Sequence, residues 1–513
     1  MICRANPYTG RTTPNKVWTN WAATVSRTLQ RHDEPCTLAD LVEVVALGSS
    51  AGQELHALGS GWAFEDAAAS QHRMVDLNEL SDRLTDVVHG QSSACTDDWR
   101  ARQANPGSER RLQHFQAGVT IAGLNTALDA LGLAMPTLGG ANGQTLAGAI
   151  STSTHGADLD LPPLPDLVRA IHLVTHGGQE LWLERRSDPI TRDDRLRPIL
   201  SCPDVEILRD DGVFDAALVS VGRFGVIYSV VIEVRRRFRL AEAVSPAPSL
   251  QVLDLLQVGV QSGLFLDLLL PVLTPPPPTH PADATGPPRA VELIFNSQKT
   301  DSCYVRRRWI TSDAAVRGTA GTDSFLCDRS SAVRILEVAA TALDAQALLI
   351  GTILPADAAA LRQRALALRA QAADPDLIGG DALASALNAV WASLSITFLG
   401  HRIDLAGQIP RLVDMALAEY FKDGLVVGRV GPSYLVMSGT QSGCYKASSI
   451  EMVFPADSLN YLALLRQLLV LGPTFRQAGY ISVRYSAASN ATLSMHTSTP
   501  PGPSRSNVRP FAG

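Results

Sequence analysis

The chain is poor in the residue patterns that would tie it together covalently or through metal. Its seven cysteines, at positions 3, 36, 95, 202, 303, 327 and 444, form no Cys-x-x-Cys pair, and their number is odd. That argues against a disulfide framework and a structural zinc site, so no metal is expected and a reduced, cytoplasmic protein is. Positive charge is also short, with 44 Lys and Arg against 50 Asp and Glu. A nucleic-acid partner is not expected, because neutralising phosphates needs a basic surface. There is no run of about 18 apolar residues, so no segment is expected to span a membrane. The opening Met1 to Pro7 has no basic stretch followed by an apolar one, and so does not read as a secretory signal.

What is present is an ordinary globular composition, 46% hydrophobic and 18% charged over 513 residues, with room for two or three domains. No internal repeat is visible. The sharpest compositional break is the proline-rich stretch 274–288, read as a solvated loop because proline cannot donate to a helix or central strand. Before it, short helices and strands alternate. Thr37 to Asp40 resembles a capping box ahead of the apolar stretch 41–47, and a strand is expected at 54–58. Ile121, Leu124, Leu128 and Leu131 keep helical spacing up to Gly132. Strands are expected at 167–175 and 180–183, turned at Gly177-Gly178, and at 226–234. Beyond the break, helices are expected at 331–349, 358–372, 381–392 and 410–421, with strands near 290–296 and 450–454. This is an α+β architecture. Its expected domains run over 15–241, 242–478 and a returning carboxy-terminal segment, 479–513.

Two small-residue tracts carry the chemistry. Leu58-Gly59-Ser60-Gly61-Trp62-Ala63-Phe64 follows a predicted strand, and glycines there let the backbone turn N–H groups onto one anion. By itself a Gly-x-Gly turn is more often an ordinary tight turn, and the third glycine of a dinucleotide-binding helix is missing. The second tract, Leu138 to Ile150 leading into Ser151 to Gly156, is too poor in apolar surface to build a core. It reads equally as a turn-rich loop and as a coat of donors for an extended polar ligand.

Taken together and in order, Asn20-Trp21, Gly59 to Trp62, Gln116 to Thr120, Gly143 to Gly148, Ser153 to Gly156, Asp166 to Val168 and Gly222 to Ile227 resemble the vanillyl-alcohol-oxidase/PCMH family. The likeness covers roughly 15–240 and is nearest to the alditol and sugar-1,4-lactone oxidase branch. It implies a two-subdomain FAD-binding domain followed by an α+β substrate, or cap, domain. It further implies FAD lying on Gly59, Ser60, Gly61, Trp62, Ala63 and Phe64, and on Gly139, Gly140, Thr145, Gly148, Thr152, Ser153, Thr154, His155 and Gly156. Val226 and Ile227 would lie near the adenine.

The chain departs from that pattern twice. Trp62 stands where many relatives have a histidine bonded to the flavin, and an indole nitrogen is only a donor; FAD held noncovalently is therefore expected, with His155 packing near it. The late Glu-x-Arg motif reads Ser482-Val483-Arg484, so the base is missing while the arginine stays. Glu451 is the candidate replacement, read equally as a carboxylate paired with an arginine. Tyr485 is a further catalytic candidate, and Tyr445, Lys446 and His496 are weaker ones. Gly139 aligns with a site where a larger residue restricts oxygen, which favours an oxidase. The expected activity is hydride removal from a CH–OH or CH–NH group of a small-molecule substrate, with molecular oxygen reduced to hydrogen peroxide. A dehydrogenase using another acceptor and a redox-inactive flavin-binding protein or cyclase remain as alternatives. Loss of the motif's carboxylate argues against a simple polyol or aldonolactone, and no oligomeric state is legible.

Overall fold

The computed structural model describes residues 8–90, 92–200, 204–263, 287–297, 301–317, 329–375, 377, 385–386, 388–389, 397–398, 401–402, 428–438, 449–472 and 480–497. The chain divides into two units. One holds Met1–Phe238, Ala447–Val453 and Ser486–Gly513; the other holds Arg239–Lys446 and Phe454–Tyr485.

The first unit opens with the antiparallel pair β1 (Arg11–Thr19) and β2 (Ser26–Glu34). Helix α1 (Leu38–Ser50) starts on the capping box read from the sequence: the Thr37 hydroxyl accepts from the Asp40 N–H, and the Asp40 carboxylate accepts from the Thr37 N–H. β3 (Leu55–Leu58) and β4 (Arg73–Asp76) then add in parallel, giving the order β1-β2-β4-β3. Leu29, Leu58 and Met74 close this small core with Trp18 and Val25.

The second sheet of this unit is threaded by β5 (Arg83–Leu84), α2 (Asp97–Ala104), β6 (Arg110–Gln116), α3 (Ile121–Ala130), β7 (Leu133–Ala134), α4 (Leu146–Ser151), β8 (Val168–Thr175), β9 (Gln179–Glu184), α5 (Asp193–Leu196), β10 (Glu206–Arg209), α6 (Asp211–Leu218) and β11 (Val226–Arg236). Its order is β10-β9-β8-β11-β6-β5, with β7 on β11. The β8–β9 hairpin turns at Gly177, whose φ of 75° suits glycine. β11 is central, yet carries buried Ser229 and Glu233. Each is satisfied: Ser229 Oγ lies 2.9 Å from His114 Nε2, and Glu233 accepts from Arg110 and Arg169.

In the second unit, β12 (Arg239–Pro248), β13 (Ala290–Asn296), β14 (Ser302–Ile310), β17 (Arg429–Pro432) and β18 (Tyr480–Arg484) make an antiparallel sheet ordered β17-β12-β14-β13-β18; β15 (Thr397–Phe398) and β16 (His401–Arg402) form a separate short ladder. Val244 and Ile294 on one face pack against the alanine-rich helices Arg329–Ile350 and Pro355–Ala372. Small side chains such as Ala339, Ala340 and Ala365 let those helices approach closely. Helix α7 (Ser249–Ser262) buries Val252, Leu253 and Leu256, while Val258 is exposed.

The structure confirms the mixed helix-and-sheet class and alters one strand. Residues 450–454 form no strand; Ile450 and Met452 are exposed, at 88% and 58%, while Phe454 is half-buried. Most of the proline-rich stretch and of the expected helix 381–392, and all of 410–421, lie outside the described residues. Among the described residues, no helix is long and apolar enough to cross a membrane.

Candidate functional site

In the first unit the two small-residue tracts fold onto each other. β3 delivers the chain to Gly59, and the loop that follows is pinned by its carbonyl groups. Trp21 N–H donates to Gly61 O at 2.7 Å, Asn20 Nδ2 to Ala63 O at 2.9 Å, and Thr24 Oγ1 to Phe64 O at 2.7 Å. With the carbonyls engaged, the N–H groups of Ser60 to Phe64 find no acceptor among the described residues. Gly61 holds φ at 67°, a left-handed conformation that a side chain would strain. Trp62 stacks on Trp21, ring centroids 4.2 Å apart and 10° from parallel.

The second tract meets the first at Thr145. This residue caps α4, accepting from the Gly148 N–H at 3.3 Å. A Cβ on Gly59 would lie 2.1 Å from Thr145 Oγ1, and one on Gly148 3.0 Å from it. The Asn142 and Gln144 carbonyls are taken by the N–H groups of Ala122 and Ile121 at the start of α3. Their side-chain oxygens, Asn142 Oδ1 and Gln144 Oε1, are buried with no hydrogen-bond partner among the described residues. Buried polar atoms are rarely left so. Orphaned donors and acceptors beside a cradle that only glycine permits are what a long polar ligand with phosphates would complete, so the residues fit FAD.

The third stretch is held by the returning chain. Ser153, at φ 59°, has its hydroxyl 2.6 Å from that of Ser494. Thr152 is exposed, its hydroxyl donating to Gly148 O at 2.9 Å. His155 Nδ1 lies 2.8 Å from Gly156 O and must carry the proton, since a carbonyl only accepts. Its Nε2 lies 2.6 Å from Glu451 Oε1, so one proton is shared across that contact. The His496 ring is 4.3 Å away. Gly156 leaves no space: a Cβ would sit 2.4 Å from Thr137 Oγ1. Gly139 is buried against Thr154, whose Cγ2 lies 2.7 Å from where a Cβ would be, while Gly140 is exposed. Val226 and Ile227 are buried at the start of β11, opposite Val174 and Leu173 of β8.

The catalytic candidates belong to different units. Glu451 belongs to the first unit and is joined to His155, where the sequence reading allowed a base or an arginine partner. Ser482 and Arg484 stand on β18 of the second unit, two residues apart and so on one face. Tyr485 is buried beside Tyr461; burial first, then that neighbour, raises its hydroxyl well above 10. Tyr445 and Lys446 lie outside the described residues. One residue escaped the sequence reading: Glu292, whose Oε1 accepts from Ser482 Oγ at 2.6 Å. A lone carboxylate in the apolar strand Ala290–Asn296 was the available signal.

Comparison with known proteins bears directly on the first unit. Residues 32–184 match the family described as FAD binding domain. This stretch is an FAD-binding domain. Relatives include sugar-lactone enzymes: L-gulonolactone oxidase of Scyliorhinus torazame is 25% identical over 43% of this chain and 41% of its own. D-arabinono-1,4-lactone oxidase of Saccharomyces cerevisiae is 26% identical over 44% and 36%. L-gulono-1,4-lactone dehydrogenase of Mycobacterium tuberculosis is 25% identical over 44% and 42%. The match therefore spans less than half the length of these relatives. Among solved structures, a solvent-stable cholesterol oxidase aligns with 72% of this chain and 60% of its own, at 16% identity and a TM-score of 0.43.

Proposed function

We propose that the protein is an FAD-dependent oxidase that takes a hydride from a CH–OH or CH–NH group of a small molecule and passes the electrons to oxygen, giving hydrogen peroxide. The observation that carries this reading is the meeting of the Gly59–Phe64 loop with the 139–156 tract at Thr145, inside a stretch that matches an FAD-binding domain. When bound, FAD supplies the hydride acceptor. The chain's own part is to hold it and to manage the proton. Ser60 to Phe64 would give N–H groups to the pyrophosphate; Gly140, Thr145, Gly148 and Thr152 to Gly156 would follow the rest of the chain, and Val226 and Ile227 the adenine.

The cofactor is held noncovalently, since Trp62 is stacked on Trp21 and has no nucleophilic nitrogen. His155 is already engaged at both ring nitrogens. Acid precipitation of the yellow holoprotein tests this: the flavin is expected in the supernatant, and flavin in the pellet sinks the noncovalent reading. The activity is tested by adding L-gulono-1,4-lactone or D-arabinono-1,4-lactone without oxygen. Bleaching followed by recovery within seconds in air supports an oxidase.

A dehydrogenase is the second reading, favoured by one contact. The Thr154 methyl fills the space that Gly139 leaves open, so the glycine does not by itself clear a path for oxygen. Recovery only with an added quinone would decide for this alternative.

A further inference from the structure

We propose that the returning segment 486–497 is a clasp on the cofactor tract. In it Ser494 positions Ser153, so that seating of the segment and binding of FAD support each other. The inference rests on the reading above that the 139–156 tract holds FAD, and both the segment and the tract belong to the first unit.

A serine stands where glycine is the usual choice. At the end of α4, Ser153 N–H donates to Ile150 O at 3.1 Å and Thr154 N–H to Ala149 O at 2.9 Å. This pair of bonds closes a helix through a left-handed residue. That residue is Ser153, at φ 59°, a conformation that glycine adopts freely and a side chain opposes. Ser153 supplies what glycine would lack: its buried hydroxyl lies 2.6 Å from the buried hydroxyl of Ser494. The same helix begins at Thr145, against Gly59, and Thr154 fills the space beside Gly139. Ser494 therefore holds one end of the cofactor tract itself.

Ser494 is fixed in turn by its own segment. Its Oγ also accepts from the His496 N–H at 3.1 Å, its N–H donates to Ala491 O at 3.0 Å, and the Ser489 N–H donates to His496 O at 2.9 Å. Further bonds seat this loop on the unit. Ala487 N–H donates to Leu161 O and Thr492 N–H to Asp215 O, both at 3.0 Å. Asp166 accepts from Ser489 Oγ at 2.6 Å and from the Asn490 N–H at 2.7 Å. The His496 ring lies 4.3 Å from that of His155, a second contact with the tract. Coupling between two such events is reciprocal. If the seated segment fixes the tract in the shape that binds FAD, bound FAD fixes the tract in the shape that seats the segment.

The test uses the full chain with and without FAD, and needs no turnover. Amide hydrogen exchange over 486–497 is followed by mass spectrometry. FAD is expected to slow exchange at Ala487, Asn490 and Thr492, whose bonds leave the segment, by at least about tenfold. Unchanged exchange in FAD-loaded protein overturns the proposal.

Variants separate positioning from plain stability. Ser494→Ala is expected to weaken FAD binding about five- to tenfold, read as Kd by flavin fluorescence titration. Adding Ser153→Gly is expected to restore most of that affinity, because glycine holds the left-handed turn unaided. A Ser494→Ala protein that melts lower without FAD yet keeps the wild-type Kd overturns the proposal. Should Ser494→Ala fail to fold, Asp166→Asn loosens the anchor at Ser489 and Asn490 instead. A loss of roughly threefold in affinity is expected there, and wild-type affinity overturns the proposal equally. A wild-type chain that takes up no FAD overturns the cofactor reading and the coupling with it. The Ser153 and Thr154 amides of FAD-free Ser494→Ala, expected to exchange faster than in wild type, then report separately whether Ser494 holds the end of α4.

Discussion

At the scale of single residues, the cradle is made by what glycine leaves out. Gly59→Ala places a methyl 2.1 Å from Thr145 Oγ1, and neither loop nor helix cap can yield without shifting the other. The substitution is expected to cost about 1–3 kcal/mol of stability and to weaken FAD retention at least about tenfold. Thermal melts and flavin released on gel filtration check it, and the double change Gly59→Ala/Thr145→Ala is expected to regain part of the loss. Gly139→Ala meets a softer neighbour, the Thr154 methyl at 2.7 Å. We expect a cost of about 1–3 kcal/mol, relieved when Thr154→Ser removes that methyl. If Thr154→Ser alone also speeds reoxidation in air, the methyl rather than residue 139 restricts oxygen; an unchanged rate places the restriction elsewhere.

At the scale of elements, the antiparallel sheet of the second unit gathers charge that no single strand displays. Glu242 on β12 is buried, which pushes its carboxyl up, but Arg306, Arg308 and Arg429 outweigh burial and bring it down to about 2, from 4.5. The sign follows from linkage. The folded carboxyl stays charged at pH values where the unfolded one is protonated, so its contribution is full above about 4.5 and disappears as pH falls towards about 2. Unfolding midpoints between those values are expected to drop with acid, and Glu242→Gln to flatten the slope. The same change leaves buried guanidinium groups without their shared anion and is expected to cost about 3–5 kcal/mol at neutral pH. A variant as stable as wild type would show that other groups balance those arginines. The segment near Glu451 teaches the converse. Its apolar residues looked like a strand, but a strand needs an edge to pair with, and the chain there runs irregularly with Ile450 in solvent.

At the scale of the whole molecule, cofactor and fold are linked, because a ligand that binds only the folded state stabilises it. Flavin at about a hundredfold excess over its Kd is expected to add about 2.7 kcal/mol, so the apoprotein melts lower and FAD restores the melt. An apoprotein with an unchanged melting temperature would argue against FAD on this cradle. The sequence determined on its own what depends on neighbours along the chain: the Thr37 capping box, the α3 periodicity ending at Gly132, the Gly177 hairpin, and the glycine tracts whose order marks an FAD-binding domain. These are local because hydrogen bonds, φ preferences and side-chain spacing act over a few residues. Only the tertiary structure decided which groups share a proton or a carboxylate. His155 meets Glu451 across nearly 300 positions, |i−j| 296, and Ser482 meets Glu292 across 190. Nothing in either local segment names its partner, since strand register and chain return are fixed by packing of distant apolar faces, and that packing carries the polar groups into contact.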